Sequence, residues 1–283
     1  MPTERGPACV SVINMKGGVG KTTITALLGR EAVYRSLRVL AVDLDPQANL
    51  SQAYMPTAYS RFLREKHPSI VELFDGYRPP NRDQESPTPI DPSDIVRQVY
   101  RNGTLSYLPS RFDFSDNLVR SLKPDPQVLA QCIASHFADK DLILIDCPPT
   151  ESVFTRAAYH ASRYVLVPVR PEYFATVGFP LLAQSLAAFR TENPSHCIDV
   201  IGVVINNGFY PGGNDGGPEK RRAIREILEE AKRNGWHVFD TEIPHSRGFP
   251  KLMRGDRRYS GKASRFWVFA EEFFTRLQLE GSP

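Results

Sequence analysis

The sequence contains few cysteines, no long apolar run and little net charge, and each absence excludes a class of protein. Its four cysteines (Cys9, Cys132, Cys147 and Cys197) are scattered through 283 residues and form no C-x-x-C pair. This pattern argues against a disulfide framework or a zinc site and favours a reducing compartment. No stretch approaches the roughly 18 apolar residues of a membrane-spanning helix, and the polar residues 1–8 are not expected to form a signal peptide. A formal net charge of +3 leaves any nucleic-acid affinity to a local basic patch.

Apolar runs alternate with helical patterns along most of the chain. Runs such as Val39–Val42 are continuously apolar, as expected of parallel strands that are covered on both faces. The alternation predicts an α/β fold with a mostly parallel, doubly covered sheet. We expect one domain over residues 1–283, with surface loops at 78–94 and 208–218. Further predicted elements are helices over 70–74, 128–137, 181–189 and 219–234 and strands over 105–108, 164–172 and 199–207.

The most informative stretch runs from Cys9 to Thr23. It joins an apolar run, a glycine-rich turn and a helical pattern that continues from Ile24 to Tyr34. Strand, glycine loop and helix in this order predict a phosphate-binding loop, because backbone N–H groups and the helix N-terminus then face one anion. We expect Lys21 to reach the β- and γ-phosphates and the Thr22 hydroxyl to bind Mg²⁺. The first glycine of the usual motif is missing, since Met15 stands at its position.

Acidic residues follow two other apolar runs. Asp43 and Asp45 come directly after Val39–Val42, and Asp146 ends the run that begins at Leu142. Ligands bind at the carboxyl ends of parallel strands, so these carboxylates are expected beside the phosphate loop. Asp146 fits a Walker B position, which holds Mg²⁺ through a water. For the first pair, an Asp-Pro turn with Asp45 as a helix cap is the alternative.

The string Lys16-Gly17-Gly18-Val19-Gly20-Lys21-Thr22-Thr23 resembles the deviant Walker A motif of the ParA/MinD family of ATPases. The strings D-x-D-P-Q at 43–47 and D-C-P-P at 146–149 resemble the two switch segments of the same family. The resemblance covers nearly the whole chain and departs mainly at the two predicted loops and in the detail of residues 247–265. It implies a P-loop NTPase with ATP and Mg²⁺ as cofactors.

The resemblance also implies roles for individual residues. Lys16 would reach across a dimer interface to the partner's nucleotide, and Asp45 would orient the attacking water. The catalytic residues would then be Lys16, Lys21 and Asp45, the metal-binding residues Thr22, Asp43 and Asp146, and the phosphate-binding residues Gly17, Gly18, Val19, Gly20, Lys21, Thr22 and Thr23.

Two more nucleotide contacts are carried over from the wider family. An Asn near the end of the strand at 199–207 would help to read adenine, which points to Asn206, and the backbone that follows Pro244 would approach the base. The alternative for Asn206 is a turn-forming residue before Gly208.

Residues 247–265 carry seven basic side chains against one acid, Asp256. Such a cluster can bind the phosphate backbone of a nucleic acid without reading its bases. The alternative is that it is a solvated basic surface. The predicted DNA-binding residues are Lys251, Arg254, Arg257, Arg258 and Lys262.

The resemblance implies slow ATP hydrolysis by an ATP-dependent homodimer that binds double-stranded DNA without sequence preference. A ParB-like or other cargo-linked protein would activate it, and it would partition or position a plasmid, a chromosome region or a protein cargo in the bacterial cytoplasm, on the nucleoid. The competing interpretation is a MinD-like ATPase that cycles on a membrane. However, the last helical pattern, Phe266–Leu279, carries Glu271 and Glu272 and predicts a helix that docks on the core. A third interpretation is a metabolic or metallocluster ATPase, but the cysteine pair of such a protein is not visible.

Overall fold

The computed structural model describes residues 6–76, 90–99, 104–112, 125–172, 178–207, 217–253 and 264–279. Within these ranges the strands are β1 (Ala8–Val12), β2 (Val39–Asp43), β3 (Arg97–Gln98), β4 (Leu105–Leu108), β5 (Leu142–Asp146), β6 (Tyr164–Val169), β7 (Asp199–Asn207) and β8 (Ile243–Pro244).

These strands form one eight-stranded sheet in the order β3-β4-β2-β5-β1-β6-β7-β8. The central pairs are parallel, and only β3 lies antiparallel to its neighbour β4 among the described strands. The predicted mostly parallel sheet is therefore confirmed. Since β1, β2 and β5 are adjacent, their carboxyl ends meet at one edge of the sheet.

The described helices are α1 (Lys21–Tyr34), α2 (Asn49–Tyr54), α3 (Tyr59–Arg64), α4 (Ile70–Gly76), α5 (Pro92–Ile95), α6 (Val128–His136), α7 (Val153–Ala161), α8 (Gly178–Glu192), α9 (Gly217–Arg233), α10 (Phe249–Met253) and α11 (Arg265–Leu277). None of them is both long and apolar enough to cross a membrane.

Both faces of the sheet are buried, as β5 illustrates. Ile143 and Ile145 pack with α4, α6, α7 and α8 on one face, while Leu142 and Leu144 pack with α1, α10 and α11 on the other. This alternation follows from the two-residue period of a strand and explains why the run is apolar without interruption. Helix α11 buries most of its aromatic residues on the second face, which confirms the predicted core-docking helix.

Several boundaries differ from the sequence prediction. Helix α1 begins at Lys21 rather than Ile24, because the helix starts where the glycine loop ends and its apolar face begins only one turn later. The predicted loop at 78–94 ends in helix α5, where the Asp91 side chain accepts from the Ser93 N–H (2.9 Å); residues 77–89 lie outside the described ranges. The predicted strand at 164–172 ends at Val169. Short elements such as α2, α3 and β3 were not predicted, since six residues or fewer carry too little periodicity.

Candidate nucleotide-binding and hydrolysis site

The loop between β1 and α1 has the backbone of a phosphate cradle. Gly18 (φ +74°) and Gly20 (φ +97°) occupy the left-handed region, which glycine enters without strain. Helix α1 begins directly after Gly20, with no acidic residue in its first turn and no described side chain capping it. The open N–H groups and the positive end of the helix dipole therefore face the loop, where an anion would be stabilised.

Lys21 lies buried inside this loop and binds the loop's own backbone. Its Nζ donates to the carbonyl oxygens of Asn14 and Lys16, both at 3.2 Å. Burial lowers the pKa of Lys21, and the nearby carboxylates of Asp146 and Asp45 oppose this shift. The ammonium group thus lies inside the cradle, close to the position predicted for the β- and γ-phosphates.

Asn14 fastens the loop to the neighbouring strand β6. Its Nδ2 donates to the Pro168 carbonyl (2.7 Å), and its Oδ1 accepts from the Lys16 N–H (2.9 Å). A Cβ added to Gly178, the first residue of α8, would lie 2.7 Å from Asn14 Oδ1. Because Asn14 is buried, these contacts fix the start of the loop against both β6 and α8.

Asp43 and Asp45 lie together at the end of β2, as predicted. Asp43 is fully buried, and its Oδ2 accepts from the N–H (2.8 Å) and Oγ (2.7 Å) of Ser51 in α2. Asp45 Oδ1 accepts from the Gln47 N–H (2.9 Å), so it caps the turn that follows β2 rather than the helix itself. Burial raises the pKa of Asp43 to about 7 and also raises that of Asp45.

Asp146 is the one charged group at this edge whose carboxylate lacks a partner among the described residues. It is fully buried beside Asp43 in the adjacent strand, and neither Oδ1 nor Oδ2 has a hydrogen bond of ordinary geometry. Burial and the Asp43 carboxylate raise its pKa, while the nearby Thr22 hydroxyl opposes the shift without reaching ordinary hydrogen-bond geometry. Two buried carboxylates and a hydroxyl with unused acceptor capacity are the oxygen donors that Mg²⁺ takes, so the residues fit this ion.

The side chain of Lys16 pairs with a carboxylate from outside the loop. Its Nζ lies 3.2 Å from Glu172 Oε2, just beyond β6, and both side chains are about one-third exposed (30% and 36%). Glu172 Oε1 in turn pairs with Arg170 (2.8 Å). Residues 173–177, which follow Glu172, lie outside the described ranges.

The two residues assigned to the base lie at the same edge. Asn206 Nδ2 donates to the Val19 carbonyl in the loop (2.8 Å), and a Cβ on Gly20 would lie 2.2 Å from that nitrogen. Pro244 in β8 pairs with Asn207 in β7. Asn206 therefore contacts the loop, Pro244 lies on the strand next to that of Asn206, and their contact with a base stays a prediction.

The predicted basic patch is described only in part. Arg247, Lys251 and Arg265 are all exposed, whereas Arg254, Arg257, Arg258 and Lys262 lie outside the described residues. Helix α10, which carries Lys251, packs on α1, where the buried Arg30 side chain donates to the Leu252 carbonyl. The start of the basic segment is thus attached to the helix that begins at the phosphate loop.

Sequence reasoning missed three residues of this site. Asn14 precedes the glycine loop, Ser51 lies on a helix that was not predicted, and Glu172 is only the last residue of the predicted strand at 164–172. A polar residue at the end of an apolar strand, as Asn14 is, was the one available signal. The partners of Asn14 and Glu172 are far away in sequence and could not be read from it.

Comparisons with known proteins agree with this geometry. A family model described as an AAA domain matches residues 8–197. The chromosome-partitioning ATPase Soj of Treponema pallidum is 31% identical over 237 residues, which cover 83% of this chain and 81% of Soj.

Two solved structures share the fold at lower identity. A variant of Cyanothece McdA in complex with ATP has a TM-score of 0.75 and 18% identity, covering 98% of this chain and 99% of McdA. Cobyrinic acid a,c-diamide synthase of Mycobacterium smegmatis, with bound ADP and magnesium, has a TM-score of 0.72 and 23% identity, covering 96% of each chain. At this identity both likenesses show the fold alone. The family match and the similarity to Soj go further, and the chain belongs to the ParA-type family of P-loop ATPases.

Proposed function

We propose that this chain is a single ATPase domain that dimerises with ATP, binds double-stranded DNA without sequence preference and positions a plasmid, a chromosome region or a protein cargo. A ParB-like or other cargo-linked protein would stimulate its turnover. The observation that carries the proposal is one edge of the sheet, where Lys21, Asp43, Asp45 and Asp146 converge and Lys16 lies beside them at the surface. The matching Soj is named a chromosome-partitioning ATPase, which supports the same task.

The residues at this edge of the sheet would have different roles in ATP hydrolysis. The α1 N-terminus and Lys21 would bind the phosphates, in place of the loop carbonyls that Lys21 now contacts. Thr22 and Asp146 would hold Mg²⁺, supported by Asp43, and the ion would neutralise charge on the phosphate oxygens. Asp45, fixed by the Gln47 N–H, would orient the water. Lys16 would act on the nucleotide of the partner subunit.

The basic segment supports the DNA part of the proposal. Arg247, Lys251 and Arg265 are exposed at both ends of the segment, and such side chains neutralise phosphates whatever the base sequence. The hydrogen bond from Arg30 to Leu252 joins α10, at the start of this segment, to the helix that begins at the phosphate loop. This contact supports the proposal that DNA binding depends on the bound nucleotide.

The membrane-cycling alternative has less support. Helix α11 buries six aromatic and aliphatic side chains in the core, namely Phe266, Phe269, Ala270, Phe273, Phe274 and Leu277. These are the residues that an interfacial helix would insert into lipid. The metabolic alternative shares the fold with the diamide synthase, but a fold does not select a substrate.

The deciding experiment measures binding to random-sequence duplex DNA with no nucleotide, with ADP and with ATP·Mg²⁺, across a salt series. The wild type should bind only with ATP·Mg²⁺, and its affinity should fall steeply with salt. Lys16→Ala should lose both the ATP-dependent dimer and DNA binding.

Arg254→Glu with Arg258→Glu should weaken DNA binding and reduce its salt dependence, while dimerisation persists. The matched control is Arg222→Glu with Arg233→Glu on the exposed face of α9, which changes charge by the same amount on a different element. Equal losses in both double variants would contradict a local DNA-binding patch. Liposome co-sedimentation with ATP, in place of DNA binding, would favour the membrane alternative.

A further inference from the structure

The ammonium group of Lys16 shares a carboxylate with a second cation of its own chain. Glu172 places Oε2 3.2 Å from Lys16 Nζ and Oε1 2.8 Å from an Arg170 nitrogen. All three side chains are roughly one-third exposed, so the cluster lies at the surface beside the phosphate loop. In this arrangement Lys16 is neutralised by its own subunit.

The backbone on both sides of this ion pair is fixed. The Lys16 N–H donates to the buried Asn14 side chain, which also binds the Pro168 carbonyl in β6, four residues before Glu172. The two ends of the ion pair are thus attached to adjacent strands through one buried asparagine. Forming this ion pair therefore costs less conformational entropy than forming one between a lysine and a glutamate on two unconnected loops.

A lysine that is used by a partner subunit must first leave its own carboxylate. We propose that Glu172 is a positioning residue that retains Lys16 in its own subunit until a nucleotide-bound partner competes for it, which sets the threshold for dimerisation. This inference rests on the proposed ATP-dependent dimer. The phosphates of a bound nucleotide carry more negative charge than one carboxylate and can displace it. After Lys16 departs, Arg170 still neutralises Glu172, so the exchange leaves no unpaired carboxylate.

The expected change in the dimer dissociation constant follows from the solvent exposure of the Lys16–Glu172 ion pair. Exposed ion pairs stabilise their state by about 1.4- to 5-fold in an equilibrium constant. Two such pairs open for each dimer, so removing the carboxylate should tighten the dimer by roughly two- to 25-fold, the square of that range.

The test compares Glu172→Gln with the wild type by sedimentation over a range of protein concentrations, with Mg²⁺ and a non-hydrolysable ATP analogue. Glutamine keeps the size of the side chain and removes its charge. Glu226→Gln is the matched control, because it removes a carboxylate from an ion pair with Arg222 (2.9 Å) on α9, away from the site. We expect a tighter dimer for Glu172→Gln only, with a nucleotide-free melting temperature that is lowered no more than that of Glu226→Gln.

A dimer constant equal to that of the wild type, or a weaker dimer, would overturn the role of Glu172. Lys16→Ala separates this failure from that of the proposed function: if Lys16→Ala fails to dimerise while Glu172→Gln dimerises normally, only the retention of Lys16 is wrong. If Lys16→Ala dimerises as well as the wild type, the proposed dimer mechanism itself is wrong, and this inference with it.

Discussion

Asp146→Asn should stabilise the nucleotide-free protein while removing its response to Mg²⁺ and ATP. Asparagine keeps the shape of the side chain and removes a buried charge. Since neither carboxylate oxygen of Asp146 has a hydrogen-bond partner among the described residues, the substitution breaks no such bond there. Replacing Asp146, a predicted metal ligand, should therefore make the nucleotide-free folded chain more stable.

The size of the effect follows from the cost of burying a charge that lacks a partner, which is on the order of several kcal/mol. Burial also raises the pKa of the neighbouring Asp43, to about 7. The pKa of Asp146 is raised for the same reason, by burial and then by the Asp43 charge. Allowing for relaxation around the site, we expect Asp146→Asn to gain about 2 to 4 kcal/mol at pH 8.

The pH dependence of this stability difference follows from the direction of the pKa shift of Asp146. A carboxyl whose pKa is raised on folding binds more protons in the folded state than in the unfolded state, so its folded state loses stability as pH rises. For Asp146 this loss begins near the unfolded pKa of 3.8 and accumulates above it. The advantage of the variant over the wild type should therefore be smallest near pH 4, intermediate at pH 5 and largest at pH 8.

The assay is denaturant unfolding of both proteins at pH 5 and pH 8, with and without Mg²⁺ and ATP. At a concentration about 100 times its dissociation constant, the ligand should stabilise the wild type by about 2.7 kcal/mol. The variant should gain clearly less from Mg²⁺ with ATP. A variant that is less stable than the wild type at pH 8 without ligand would refute the reasoning, because Asp146 would then have a favourable partner in the folded chain.

Two further substitutions test the framework of the site. Ser51→Ala removes the hydroxyl that donates to Asp43 and that accepts from the Ser110 N–H (2.8 Å); denaturant unfolding should show a loss of about 1 to 3 kcal/mol, and an unchanged stability would mean that water replaces both bonds. Gly20→Ala places a Cβ 2.2 Å from Asn206 Nδ2 at a residue with φ +97°; calorimetry should show at least a tenfold loss of ATP affinity, whereas Gly6→Ala, where a Cβ meets nothing within 4 Å, should bind normally.

The sequence was sufficient for those parts of the site that are local in the chain. The glycine loop, Lys21 and Thr22 form one continuous segment, and Asp43 and Asp146 each end a strand whose apolar run is visible by itself. The parallel sheet then brings these strand ends together whatever the intervening loops contain. The P-loop fold and its acidic edge were predicted for this reason.

The parts that could not be predicted depend on contacts between distant segments. Asn14 binds Pro168 across 154 positions, and Lys16 pairs with Glu172 across 156. Neither partner is marked by any local pattern, because a glutamate after a strand is as readily a solvated residue. Ser51 lies only eight positions from Asp43, but its role depends on the short helix α2, whose six residues show too little periodicity to predict.

The charged groups of this site share one property that explains how a ligand could enter it without large rearrangement. Lys21 is satisfied by two loop carbonyls, Lys16 by Glu172 and Asp43 by Ser51. The two lysines make these contacts with neutral groups or at a partly exposed position, so a phosphate can replace them at modest free-energy cost, while Asp43 keeps its bonds from Ser51. Asp146 alone has no substitute partner among the described residues, and a cation bound there removes the largest penalty of the nucleotide-free state. The metal should therefore contribute more to binding than any single phosphate contact, which is why the response to Mg²⁺ is the sharper test of this site.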